Sequence, residues 1–391
     1  MVRRLNSLVP ADSNAASPAD RLVRCDRMRA PALSTVEKKS NIQLREPQFR
    51  ARLLAWYDAH ARDLPWRKSG DPYRVWVSEI MLQQTRVAAV IEHYHEFLRR
   101  FPTVEKLASA REASVLAAWS GLGYYRRARM LHAAAKVVVR ELSEQFPVTA
   151  EAWRDLPGIG RYTAAAIASI AFGEAVAVVD GNVERVLQRA TGKRIAGEEL
   201  WRQADRLLDH ERPGDFNQAM MELGATVCTP RVPACLMCPV VELCATRGEL
   251  AVSSKADKQK KREIHYALDF RDEDGRGRVF LVQRPRNAAL MAGMWELPEI
   301  ETAVARTGEK QIPHFVRNDE TDGRANGNAN NATQELLFTV RHSITVTDYT
   351  VHVWRTTAPA GTSGAWVSAD RLKHVALTGL ARKTLRKAGV L

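Results

Sequence analysis

Two carboxylates, a tight glycine hairpin and four cysteines hold most of the chemistry this sequence offers. Glu79 sits in Ser78-Glu79-Ile80-Met81-Leu82-Gln83-Gln84-Thr85, among largely apolar neighbours. Burial disfavours a charged carboxylate and raises its pKa, which suits a general acid working near neutral pH. The plainer reading is a helix-dipole or capping-box glutamate, since Ser78 precedes it and the segment reads as the opening of a long helix. The bare sequence favours that plainer role. Asp180 ends the apolar run Val176–Val179, just before a helical stretch. Aspartate is a favoured N-cap there. Held under a helix N-terminus, the same carboxylate would also stay ionised and could face a developing positive charge.

Leu156-Pro157-Gly158-Ile159-Gly160 lies between two helical segments. Gly158 and Gly160, separated by one apolar residue, predict a hairpin whose backbone N–H groups point outward. The following helix starts at Arg161 and adds its positive end, so the unit can seat a phosphate. That is the pattern of a helix-hairpin-helix, which grips a nucleic-acid backbone without reading bases; an ordinary inter-helix turn is the alternative. Cys228, Cys235, Cys238 and Cys244 are spaced C-x6-C-x2-C-x5-C. Four-cysteine zinc sites usually use two separate C-x2-C knuckles, whereas a single tight run of this kind suits a [4Fe–4S] cluster. The fifth cysteine, Cys25, reads as a spare thiol. With this clustered, odd count and no secretory leader, a metal site in a reducing compartment is expected rather than a disulfide framework.

Around these groups the sequence is helical from about Glu46 to Gly248, with apolar residues recurring at three and four in segments such as Val75–Phe97, Arg126–Arg140 and Tyr162–Ala171. Trp119, Trp153 and Trp201 read as core; His93 and His95 read as solvated rather than as ligands. Residues 1–44 form an Ala/Ser/Pro-rich tail, and 249–263 a lysine-rich linker. Residues 264–391 change character. His265–Phe270, Val279–Arg284, Glu335–Val340, Ile344–Trp354 and Gly364–Val367 read as strands, and Leu377–Ala388 as a closing helix. Arg317–Thr333 is a Gly/Asn-rich insertion. The expected fold is therefore multidomain: an all-α helix-hairpin-helix core over 45–248 and a C-terminal α+β domain. The chain has 391 residues and a formal charge of +13, which fits a polyanionic partner, nucleic acid before a membrane surface. No apolar run approaches the roughly 18 residues of a membrane span.

In that order, the hairpin, the Val-Asp-Gly-Asn-Val stretch and the cysteine loop resemble the helix-hairpin-helix DNA glycosylase superfamily. Within it, the sequence closely resembles the MutY-type adenine glycosylases. It is carried by Leu64-Pro65-Trp66-Arg67, by Pro72 to Thr85, by Gly121-Leu122-Gly123-Tyr124-Tyr125-Arg126-Arg127-Ala128 and by Asn217 to Ala225. The resemblance implies a base excision repair enzyme that removes adenine mispaired with 8-oxoguanine or guanine from double-stranded DNA, the base being flipped into a pocket. It implies that Glu79 is the general acid, that Asp180 stabilises the sugar cation and that Tyr162 orients both. Arg62, Trp66, Arg67 and Gln218 are implied to line the adenine pocket. Gln84, Thr85, Leu122 and Tyr124 are implied to wedge the duplex and contact the 8-oxoguanine strand. Bifunctional glycosylase/lyases carry a Schiff-base lysine where this chain has Tyr162, so a monofunctional enzyme is expected.

Ala289 to Pro298 resembles the Nudix-like domain of the same proteins. The magnesium-binding R-E-x-x-E-E set of a Nudix hydrolase is absent from the following stretch ETAVARTGEKQIP, so recognition of 8-oxoguanine is expected rather than hydrolysis. Within Val340-Arg341-His342-Ser343, His342 matches the recognition loop. Arg341 replaces the usual serine, leaving Ser343 or Arg341 to make that contact. A monomer with no membrane attachment, in the cytoplasm beside the nucleoid, completes the expectation. The competing readings are an endonuclease III-type glycosylase/lyase and a non-catalytic, cluster-bearing DNA-binding protein.

Overall fold

The computed structural model describes residues 45–250, 260–273, 276–288, 290–301, 335–344 and 347–391; the expected N-terminal tail, residues 251–259 of the linker and the insertion Arg317–Thr333 lie outside them. Described residues up to 250 are helical and those from Lys260 mix strands with short helices, which is the expected fold class. No described helix is long and apolar enough to cross a membrane.

The helical part has two apolar cores. One gathers α2 (Pro72–Leu82), α3 (Val87–Arg100), α5 (Glu112–Ala118), α6 (Arg126–Glu141) and α8 (Arg161–Phe172); α4 (Val104–Ser109) and α7 (Ala150–Trp153) close it. The other gathers α1 (Glu46–His60), α9 (Gly181–Thr191), α10 (Gly197–Leu207) and α11 (Pro213–Thr226). Small side chains let α8 approach both: Ala164, Ala165, Ala166 and Ala168 are at most 1% exposed, and Ile167 between them is fully buried. Trp119 and Trp153 are fully buried, as expected. Trp201 is not core. It is half-buried, with the Arg161 guanidinium 3.9 Å over its ring.

The segment read as one helix over Val75–Phe97 is two. Asp71 caps α2 by accepting from Arg74 N, with Pro72 in the first turn. The helix stops at Leu82 because its last carbonyls are taken by a side chain. Arg127 Nη1 donates to Ile80 O (2.8 Å), Met81 O (3.0 Å) and Gln83 O (2.5 Å), in place of a continuing turn. Gln84 then turns with φ 55°, and α3 begins at Val87. Glu79 therefore lies past the middle of α2, too far from its N-terminus for the capping or dipole role.

In the second module β1 (Lys260–Leu268) starts five residues before the expected His265. It runs parallel to β6 (Thr347–Arg355), which pairs antiparallel with β5 (Glu335–Ile344). Strand β3 (Arg276–Gln283) pairs antiparallel with β2 (Phe270–Glu273), β4 (Trp295–Glu296) and β7 (Ala365–Ser368). A last helix, α12 (Gly379–Lys387), is capped by Thr378. Met294 and Ala376 of this module are buried inside the first helical cluster, so the two parts share an apolar seam.

Candidate active site

A cleft of about 1370 Å³ opens between the two helical cores, and the second module forms part of its rim. At its base Glu79 is 5% exposed, on a helix whose neighbouring residues Val75 to Met81 are all buried. Burial pushes its carboxyl up to about 7; the Asp180 charge adds to this, while the Tyr162 hydrogen bond and Arg67 oppose it. Tyr162, in the first turn of α8, donates its hydroxyl to Glu79 Oε2 at 2.7 Å, and Met221 Sδ lies 3.4 Å from the Tyr162 hydroxyl oxygen. Burial, and then the two carboxylates, hold the phenol well above its usual range, so it remains a donor.

Asp180 lines the same cleft. Its cap role and its site role coincide. Oδ1 accepts from Asn182 N (2.9 Å) and Val183 N (2.8 Å), and Oδ2 accepts from Asn182 Nδ2 (2.8 Å). The backbone leading to it is stitched to α11 by Asn217, which accepts from Val178 N (3.0 Å) and donates to Val176 O (2.9 Å). Asn182 is steadied in turn by Arg185, whose Nη2 donates to Asn182 Oδ1 (2.8 Å) and Gly224 O (2.7 Å) and whose Nε donates to Cys228 O (2.8 Å).

The expected pocket residues Arg62, Trp66, Arg67 and Gln218 all line the cleft. The two arginines converge on a residue that sequence reasoning missed. Glu222 is 1% exposed; Arg62 grips it with two bonds (Nε–Oε1 2.6 Å, Nη2–Oε2 2.8 Å), and Arg67 Nη2 adds a third at 2.8 Å. Burial alone would raise the Glu222 carboxyl, but the hydrogen bonds and charges of Arg62 and Arg67 outweigh it and leave it below the usual range. Nothing local marks Glu222, because its partners lie 160 and 155 residues away.

Gln84, Thr85, Leu122 and Tyr124 line the cleft mouth. Gln84 and Tyr124 take φ of 55° and 47°, a region that non-glycine residues seldom enter. Both turns are pinned by Arg127, also missed by the sequence reading. Its Nη2 reaches Thr85 Oγ1 (3.1 Å), Leu122 O (3.2 Å) and Gly123 O (3.3 Å). Its ion lies over the Trp119 and Tyr124 rings, and burial lowers its pKa to about 10. Gly158 also faces the cleft, with φ 77°, where a Cβ would meet Met130 Cβ at 2.4 Å. Gly160 is exposed and N-caps α8, outside the cleft lining. His342 and Ser343 line the opposite rim, whereas Arg341 is exposed and does not. His93 is not merely solvated. Its ring nitrogens lie 2.9 Å from Ala89 O and 3.2 Å from Ser120 O.

Beyond the C-terminal end of α11, Cys228, Cys235, Cys238 and Cys244 border one cavity of about 30 Å³ with Arg189. None is in a disulfide. Arg189 Nη1 donates to Cys228 Sγ (3.3 Å) and Arg247 N to Cys244 Sγ (3.4 Å), so two sulfurs already act as acceptors. Among the described residues no three His, Cys, Asp or Glu side chains converge as a single ion requires. Four thiols bordering one small cavity are a donor set that could hold an iron–sulfur cluster.

Residues 77–204 match the model of the HhH-GPD superfamily base excision DNA repair proteins, and 270–387 match a NUDIX domain. Human adenine DNA glycosylase is 43% identical over 313 residues, covering 64% of this chain and 57% of that one. The rat and mouse proteins are likewise matched over only 60% of their length. Among solved structures, a thermostable thymine-DNA glycosylase is 31% identical with a TM-score of 0.49, covering 52% of this chain and 96% of that one. The Schizosaccharomyces pombe adenine DNA glycosylase is 30% identical over 431 residues, covering 90% of this chain and 92% of its own. On that near end-to-end match, the chain belongs to the adenine DNA glycosylase family.

Proposed function

We propose that this chain hydrolyses the N-glycosidic bond of adenine mispaired with 8-oxoguanine or guanine in duplex DNA, without cutting the strand. The observation that carries this reading is a buried Glu79, poised at about 7, in one cleft with Asp180. The two carboxyls sit in unlike surroundings, one dry and one ringed by N–H donors, which is how an acid and an anion are kept apart at one pH. With adenine extruded into the cleft, protonated Glu79 gives its proton to purine N7. The C1′–N9 bond breaks and its electron pair passes into the leaving base. Asp180 faces the resulting sugar cation. Water adds to C1′, and its proton returns to the Glu79 carboxylate, leaving an abasic site and free adenine. Tyr162 occupies the position of the lyase lysine, and a phenol forms no Schiff base, so the strand persists.

Gln84, Thr85, Leu122 and Tyr124 would hold the opened duplex, Gly158 and Gly160 the phosphates, and His342 with Ser343 the base opposite adenine. Cys228, Cys235, Cys238 and Cys244 would hold a [4Fe–4S] cluster. When bound, it would supply a fixed, compact charge that orders the loop beside Arg189. Such free thiols suit a reducing cytoplasm, with the chain acting as a monomer. A duplex with adenine opposite 8-oxoguanine tests the chemistry: alkali-labile sites on the adenine strand are expected, and Glu79→Gln should bind without excising. Cleavage without alkali overturns the monofunctional reading, and full activity in Glu79→Gln overturns the acid. Brown protein absorbing in the blue is expected; colourless protein with stoichiometric zinc overturns the cluster.

A further inference from the structure

We propose that Ser120 and Tyr125 are positioning residues: they fasten the wedge loop Gly121–Tyr124 to the second module, so that reading the base opposite adenine and opening the duplex move as one. This rests on the function proposed above. The loop joins α5 to α6 and carries Leu122 and Tyr124 into the cleft mouth. Gly121 (φ 114°) and Gly123 (φ 70°) let it turn, while Tyr124 is held at φ 47°, a region non-glycine residues seldom enter. Such a loop keeps its shape only when its surroundings over-determine it.

On the helical side, Trp119 Nε1 donates to Gly123 O (3.2 Å) and Arg127 holds Leu122 O and Gly123 O. On the other side, both residues flanking the loop reach a single acceptor. Ser120 Oγ donates to Leu377 O at 2.9 Å and Tyr125 OH donates to the same oxygen at 3.1 Å. Arg382 Nε donates to Ser120 Oγ at 2.8 Å, which leaves the serine proton aimed at Leu377. Ser120 and Tyr125 are each 3% exposed and Leu377 is fully buried, so water cannot substitute for these bonds.

Leu377 is itself fixed. Trp295 N donates to Ala376 O (2.8 Å) and Thr378 N to Trp295 O (2.9 Å), bracketing it in the sheet module. Two residues on, Gly379 starts α12, and His342 Nε2 lies 3.6 Å from where a Gly379 Cβ would sit. Residues 377–379 therefore touch the hinges of the wedge on one side and the proposed lesion-reading histidine on the other. Simple adhesion between modules would need only the apolar contacts of Met294 and Ala376. Two hydroxyls bracketing a strained loop set its register against His342 as well.

The test uses the full chain as Ser120→Ala, Tyr125→Phe and Ser120→Thr. Single-turnover excision is compared for adenine opposite 8-oxoguanine and opposite guanine, and 2-aminopurine fluorescence in the adenine position reports flipping without chemistry. Losing either hydroxyl should cut the preference for 8-oxoguanine about tenfold, the equivalent of one hydrogen bond, and blunt the fluorescence rise. Ser120→Thr, which keeps the hydroxyl, should restore both. Equal losses on the two duplexes, or no loss, overturn the proposal, because adhesion alone predicts no change in preference. If the wild-type chain flips 2-aminopurine but excises nothing, the catalytic reading falls, and unchanged fluorescence in the variants then overturns the seam separately.

Discussion

Removing the proposed acid should make the protein more stable, and by an amount that depends on pH. Glu79 sits at about 7 in the folded chain against an ordinary carboxyl value of 4.5. Below the lower value both states carry the proton and folding is indifferent to pH. Between the two, the folded state binds more protons than the unfolded one, so stability falls as pH rises; above about 7 the loss is complete. The difference is about 2.5 units, and at about 1.4 kcal/mol per unit the buried carboxylate costs about 3 kcal/mol at about pH 8. At about pH 5 the cost shrinks to about 1 kcal/mol or less. Glu79→Gln removes the titration and keeps an acceptor for the Tyr162 hydroxyl. Its melting temperature should therefore exceed wild type by about 5–10 °C at about pH 8, and by far less at about pH 5. Calorimetric or fluorescence-monitored unfolding at the two pH values gives the answer. An equal shift at both, or a loss of stability at the higher one, would refute the claim that Glu79 is a buried carboxyl held near neutrality.

The same proton sets the rate: single-turnover excision should fall about tenfold per unit once pH rises past about 7, and a flat alkaline limb would remove Glu79 from the acid role. Arg127→Met strips donors from the carbonyls of Ile80, Met81, Leu122 and Gly123, so urea denaturation should show a loss of about 3 kcal/mol or more, together with weaker duplex binding. A loss under about 1 kcal/mol would mean that water replaces the guanidinium. Gly224→Ala would place a Cβ 2.6 Å from Asn182 Cβ and 3.0 Å from its backbone oxygen. Excision should slow about tenfold as Asn182 loosens its hold on Asp180, with duplex binding nearly unchanged; wild-type rates would show that Asn182 is dispensable.

Local spacing carried much of this architecture. The glycine hairpin, the cysteine run and the change from three-and-four to alternating apolar patterns are properties of short windows, and they foretold the helical core and the strand-rich module. What escaped was non-local. The break after Leu82 is made by an arginine 45 residues downstream in sequence, and no periodicity within Val75–Phe97 announces it. Ser78 beside Glu79 looked like a cap because the helix start was misplaced; Asp71 holds that role. Glu222 reads as one more helical glutamate until the fold brings two arginines to it. Asp180 was legible as an N-cap, since the cap uses only residues two and three positions on. Trp201 misled because size alone does not bury an indole when a guanidinium covers its face.

Helix α11 has a consequence for how this cleft tolerates thermal motion. Asn217 tethers the run into Asp180, Met221 meets the Tyr162 hydroxyl, Glu222 gathers Arg62 and Arg67, and Gly224 abuts Asn182. Fittings that must agree to within fractions of an ångström thus hang from a single rod. A slide or tilt of that rod would therefore disturb all four contacts together rather than one at a time.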